Sequence, residues 1–167
     1  MQFIARAINA LNEFVGRYSS YLILPLIGVV SYEVLMRYGF NAPTAWAFEM
    51  TVFIYGVHYM LALAYAHKHD GHVAIDIFES RLPKTPRTLL RIIANLVLFI
   101  PTIGLLTVWS FIYFNTAWGM SERASSSWAP LIYPYKFIMA VGFLLLLLQG
   151  LAKLIEDIRS LRSSAES

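Results

Sequence analysis

The run HKHDGHVAID, residues 67–76, places three histidines and two aspartates within ten positions. Imidazoles and carboxylates are zinc ligands, and three that converge beside an open position make a hydrolytic centre. The spacing works against that chemistry. On a helix His67 and His69 point about 200° apart, so one ion meets both only if the backbone unwinds at Gly71. A helix ending at this point explains the same residues more simply. Gly71 is then its C-terminal cap, and the imidazoles sit near the last carbonyls, where positive charge is favoured. His58 is the one histidine inside a long apolar stretch, and no other such stretch offers a facing histidine to complete a haem site. Met36, Met50, Met60 and Met139 leave a His/Met pair formally open, but methionines at such spacing usually pack. No metal ligand, cofactor or catalytic residue is assigned.

Three ionisable residues in apolar surroundings carry more information, because such groups are costly in a membrane and often functional. Glu33 and Arg37 lie four apart, on one helix face, and neutralise each other without outside help. Glu49 follows Trp46 in the first turn of an apolar segment. It is either stabilised by the positive end of its own helix or functional, and the residues leave both open. There is no glycine-rich phosphate loop, no HExxH and no serine elbow. The serine-rich stretch SERASSS reads as a flexible turn, and the small residues Gly56, Ala62 and Ala66 read as helix-packing positions.

These residues sit in a chain of 167 residues that is 58% hydrophobic and only 14% charged. Soluble domains carry roughly 25% charged residues, so the composition is that of an integral membrane protein. The formal charge of +3 is spread between apolar runs and lines no polar face, which argues for lipid headgroups and against nucleic acid. The absence of cysteine excludes disulfides and thiolate sites. The first apolar run is followed by Arg37 and Tyr38 and not by a small-residue cleavage site, so no removed leader is expected.

About 20 apolar residues span the hydrocarbon as a helix, and four stretches qualify, at 18–38, 45–66, 88–118 and 133–155. Pro25 and Pro101 lie inside the first and third and are potential kink sites. Residues 1–17 carry Phe3, Ile4, Ile8, Leu11, Phe14 and Val15 at helical spacing and read as an amphipathic helix in the membrane surface. Residues 67–87 read as a loop with a second, shorter interfacial helix, and 156–167 as a tail. The expected fold is all-α, with four transmembrane helices and short interfacial amphipathic helices. With the N-terminus in the cytoplasm, ten lysines and arginines fall on that side and three, Arg37, Arg123 and Lys136, fall outside. That bias predicts both termini to be cytoplasmic.

RYGFNAPTAWAFEM, Arg37 to Met50, followed by DGHVAID, Asp70 to Asp76, resembles the small membrane subunit of tripartite ATP-independent periplasmic (TRAP) transporters, the DctQ-like subunit. In that family an arginine and an aromatic end span one, a loop with Asn and Pro follows, Trp and Glu open span two, and a Gly-His pair closes it. The matching positions are Arg37, Tyr38, Asn41, Pro43, Trp46, Glu49, Gly71 and His72. The resemblance implies a non-catalytic subunit of the bacterial inner membrane. Its partners would be a large multi-span subunit, which moves an organic anion by a sodium-driven elevator motion, and a periplasmic binding protein that delivers the anion. It also makes His72 the residue that holds the bend after span two by hydrogen bonding. Two other readings compete: a histidine-based membrane metalloprotein, and a small autonomous channel formed by oligomerisation.

Overall fold

The computed structural model describes residues 2–69 and 83–165. Four helical stretches are long and apolar enough to cross a membrane: Phe3–Gly39, Ala47–Lys68, Thr85–Gly119 and Tyr133–Leu161. Among the described residues there is no strand, only an isolated antiparallel bridge between Arg123 and Leu131. The chain is therefore an all-α, multi-pass membrane protein.

The first stretch joins α1 (Gln2–Ser19) to α2 (Ile23–Val34) through a 3-10 turn at Ser20–Leu22 and ends in a wide π turn at Leu35–Gly39. The junction residues Ser19, Leu22 and Val34 all keep right-handed helical dihedrals, so the helical backbone runs on past residues 17 and 18. Its 37 residues make about 55 Å at 1.5 Å each, well beyond the roughly 30 Å of hydrocarbon. The second stretch is α3 (Ala47–Lys68). The third joins α4 (Lys84–Ala94) to α5 (Ile100–Gly119) through a π turn at Asn95–Phe99. The fourth is α6 (Tyr133–Ala165). The turns at Ser20–Leu22 and Asn95–Phe99 each have a proline close after them. Pro25 and Pro101 have no N–H for the carbonyls of Tyr21 and Val97, so the regular ladder is interrupted at those turns.

Helix α6 is the centre of the molecule, packed against α3, α5 and α1, while α2 packs chiefly along α3. Close approach is made by small side chains. Ala47, Ala64, Ala117, Ala140 and Ala152 are buried, whereas Leu105, Val108 and Ile112 of α5 face outward. This is the pattern of helices that associate by tight packing in a solvent as apolar as leucine. Of the three small residues singled out on α3, Gly56 is buried against α6, where a Cβ would collide with the Tyr135 hydroxyl. Ala62 and Ala66 are half-buried, and Ala64 is the fully enclosed alanine. Gly142 lies directly on the Met60 backbone: a Cβ there would come within 2.7 Å of its carbonyl oxygen.

The connection between α5 and α6 is folded, not merely flexible. Ala124 N–H donates to the Pro130 carbonyl and Ile132 N–H to that of Glu122, and the Arg123 guanidinium donates to the Ala129 carbonyl at 3.2 Å. Beneath it Lys136, 4% exposed, pairs with Glu122 and lies 3.6 Å from the Tyr113 ring centroid. A buried ammonium needs both partners, since unpaired it would carry a large desolvation cost. The serine spacing does not reveal this arrangement, because the residues that organise the turn, Glu122 and Lys136, lie at its ends.

Candidate functional site

The bundle has two polar ends, here named after Trp46 and Lys68. At the Trp46 end the π turn presents Arg37 back toward Glu33 of α2. The Arg37 Nε donates to Glu33 Oε1 at 3.0 Å, and Nη2 donates to the same oxygen. Glu33 Oε2 in turn accepts the Thr44 backbone N–H at 3.1 Å and the Thr44 hydroxyl. Glu33 thus ties both its own helix end and the loop leading into α3. That loop turns sharply, with Asn41 at φ 50° and Ala42 N–H donating to the Met36 carbonyl at 2.9 Å. Asparagine is one of the few residues that enters this left-handed region cheaply. Trp46 stacks on Tyr32 of α2, centroids 5.8 Å apart, and closes the hairpin between the two helices.

Arg37 and Trp46 are therefore drawn to one corner through Glu33, Thr44 and Tyr32. Glu49 is not part of that network. It shares a helix face with Phe53 and Gly56, the residues that meet Tyr135 of α6. Its Oε2 is buried and makes no hydrogen bond among the described residues. Gly71 and His72 lie outside the described residues, as does the proposed second interfacial helix.

The histidines at the Lys68 end diverge. The His67 ring lies flat on Phe99 of the π turn, centroids 4.4 Å apart and 11° from parallel, while His69 Nε2 is 3.0 Å from Glu13 Oε2 on α1. His58 turns to α1 as well. Its Nδ1 is 2.8 Å from the Ser19 carbonyl oxygen, and since a carbonyl can only accept, Nδ1 carries the hydrogen. That carbonyl is available because the Ile23 N–H bonds to Ser20 and Tyr21 in the 3-10 turn. Among the described residues no group of three His, Cys, Asp or Glu side chains is placed to hold a metal ion.

The largest polar network lies at this same end. Asn12, 1% exposed, donates from Nδ2 to Gln149 Oε1 at 2.6 Å. Gln149 Nε2 donates to Asn9 Oδ1 at 2.8 Å, and Asn9 Nδ2 to Glu156 Oε1 at 2.8 Å. Lys68 Nζ donates to Glu13 Oε2 at 2.6 Å and to the Asn9 carbonyl at 3.3 Å. Asn9, Asn12 and Glu13 of α1 thus face into the bundle, while Arg6 and Arg17 are exposed along with Phe3, Ile4, Leu11 and Phe14. The sequence spacing makes residues 1–17 an amphipathic surface helix and links none of these polar residues to Gln149. The signal that could have paired them is a stripe of small and polar residues, Ala5, Asn12, Gly16 and Ser19, at the spacing of a helix–helix seam.

A four-span helical membrane protein with interlocked polar ends defines a class broad enough to include transport subunits. The comparison with known proteins narrows it. The family model of the DctQ component of tripartite ATP-independent periplasmic transporters matches residues 26–160, most of the chain. The chain belongs to this family of transporter components and is a TRAP transporter small membrane subunit. It is also 26% identical over 93 residues to the sialic acid TRAP transporter permease protein SiaT of Haemophilus influenzae (strain 86-028NP). That match covers 56% of this chain and 15% of the relative's length.

Proposed function

We propose that this chain is the scaffold subunit of a TRAP transporter. It packs against and stabilises a larger multi-span membrane subunit while that subunit carries an organic anion inward by a sodium-driven elevator motion. A periplasmic binding protein delivers the anion. The observation that carries this reading is the DctQ family match over residues 26–160. The relative is named a permease, and on this reading the larger membrane subunit supplies the translocating part. The relative's named substrate, a sialic acid, is a carboxylate sugar and so an organic anion. The subunit sits in the bacterial inner membrane with both termini cytoplasmic, which places the Lys68 end inside and the Trp46 end outside. Arg37 and Trp46, with Glu49, Gly71 and His72, serve as structural and interface positions, not as substrate contacts.

Co-expression with the large membrane chain tests this. Arg37→Ala and Trp46→Ala are expected to lower the amount of large chain that co-purifies, while the substrate preference of the remaining complexes is unchanged. Altered preference with assembly intact, or solute flux in vesicles holding this chain alone, contradicts it.

A further inference from the structure

Phe48, Val52, Tyr55 and Tyr59 recur on α3 at the spacing of one helix stripe, and they are 72%, 44%, 56% and 51% exposed. The two tyrosine rings stack, centroids 6.2 Å apart and 25° from parallel, so the phenols point out side by side. Neither hydroxyl makes a hydrogen bond among the described residues. Depth makes this unusual. Helix α3 has 22 residues, about 33 Å at 1.5 Å each, nearly the hydrocarbon thickness. Its midpoint falls between Val57 and His58, so Tyr55 and Tyr59 lie within about 4 Å of the bilayer centre by that rise. A tyrosine there is too short to carry its hydroxyl to either headgroup layer, and acyl chains offer no acceptor. On α5 the exposed residues Leu105, Val108 and Ile112 are pure hydrocarbon at their tips and suit lipid, while Trp109 and Tyr113 are exposed on the adjoining face.

We infer that the α3 stripe Phe48–Val52–Tyr55–Tyr59 is covered not by lipid but by a transmembrane helix of the larger subunit, which presents hydrogen-bond acceptors to the two phenols at mid-depth. The acceptors would be Ser, Thr, Asn or Gln oxygens, or carbonyls freed at a helix break. This rests on the assembly reading above and adds to it the face and the chemistry of the contact.

The test uses the co-expressed complex in native membranes. Photoreactive benzoylphenylalanine is placed at position 52 or 55 on the stripe, at 108 on α5, or at 21 on the first stretch. Adducts at the summed mass of the two chains are expected from 52 and 55 and not from 108 or 21. In parallel, Tyr55→Phe with Tyr59→Phe should cut the co-purified large chain about fivefold, the loss of two modest intramembrane hydrogen bonds. The chain alone should melt unchanged, since neither hydroxyl has an internal partner. Adducts only from 108 or 21, or at twice this chain's own mass, overturn the assigned face while leaving the assembly reading intact. An unchanged yield in the double variant overturns the hydrogen-bonded contact. A wild-type chain that fails to co-purify at all overturns both readings.

Discussion

Asn12 is enclosed to 1% exposure, donates to Gln149 Oε1 at 2.6 Å, and leaves its own Oδ1 without a partner among the described residues. A buried polar pair of this kind contributes little net energy while intact, but half of it is expensive to keep. Asn12→Ala strands the Gln149 oxygen, and Gln149→Ala takes the donor from Asn9 Oδ1 and leaves the Asn12 amide only its long 3.5 Å bond to the Leu145 carbonyl. Each is expected to destabilise the protein by about 1 kcal/mol, and the double replacement by less than the two added together. Unfolding followed in mixed micelles for the four proteins of the cycle gives the coupling. Full additivity would mean that the two side chains do not interact. The same residues show where residue-level reading from sequence stops. The Glu33–Arg37 pair is legible from a four-residue spacing, because both partners lie on one helix. Asn12 and Gln149 stand 137 positions apart, and nothing local in either segment names the other.

Helix existence follows directly from apolar length, so the four stretches read as 18–38, 45–66, 88–118 and 133–155 each have a helical counterpart. What composition does not reveal is which helix face meets which neighbour. In lipid both faces of a helix are largely apolar, and the seam is written in small residues and a few polar ones. Gly142 on α6 shows this. A Cβ there would lie 2.7 Å from the Met60 carbonyl oxygen and 3.0 Å from the Met60 Cβ, both too rigid to move aside. Gly28 on α2 has nothing within 4 Å of the same position. Gly142→Ala is therefore expected to push α3 and α6 apart at a cost of about 1–3 kcal/mol. Gly28→Ala should be neutral or gain up to about 1 kcal/mol from better helix propensity. Melting temperatures of the purified variants check this, and equal effects at the two positions would contradict the packing of α6 on α3. The Trp46 corner is an intermediate case. Its residues stand out in sequence, but their linkage through the Thr44 hydroxyl appears only once the hairpin is formed.

Over the whole sequence the expected topology puts ten lysines and arginines on the side of the Lys68 end and three on the side of the Trp46 end. Of the three at the Trp46 end, Arg37 is paired with Glu33, and Lys136 is buried against Glu122. Only Arg123 remains without an acidic partner there, and it is turned onto the Ala129 carbonyl. The retention of positive charge on the cytoplasmic side depends on lysines and arginines near the membrane, so a Trp46 end with this little basic charge should be translocated. The sequence contains no cysteine, so single introduced thiols report position against a silent background. Ser125→Cys, exposed in the folded loop between α5 and α6, should react with a membrane-impermeant maleimide in cells whose outer membrane alone has been opened. Thr85→Cys, exposed at the start of α4, should react only after the inner membrane is broken. The reverse labelling would put both termini outside and the Trp46 corner in the cytoplasm, away from any periplasmic partner.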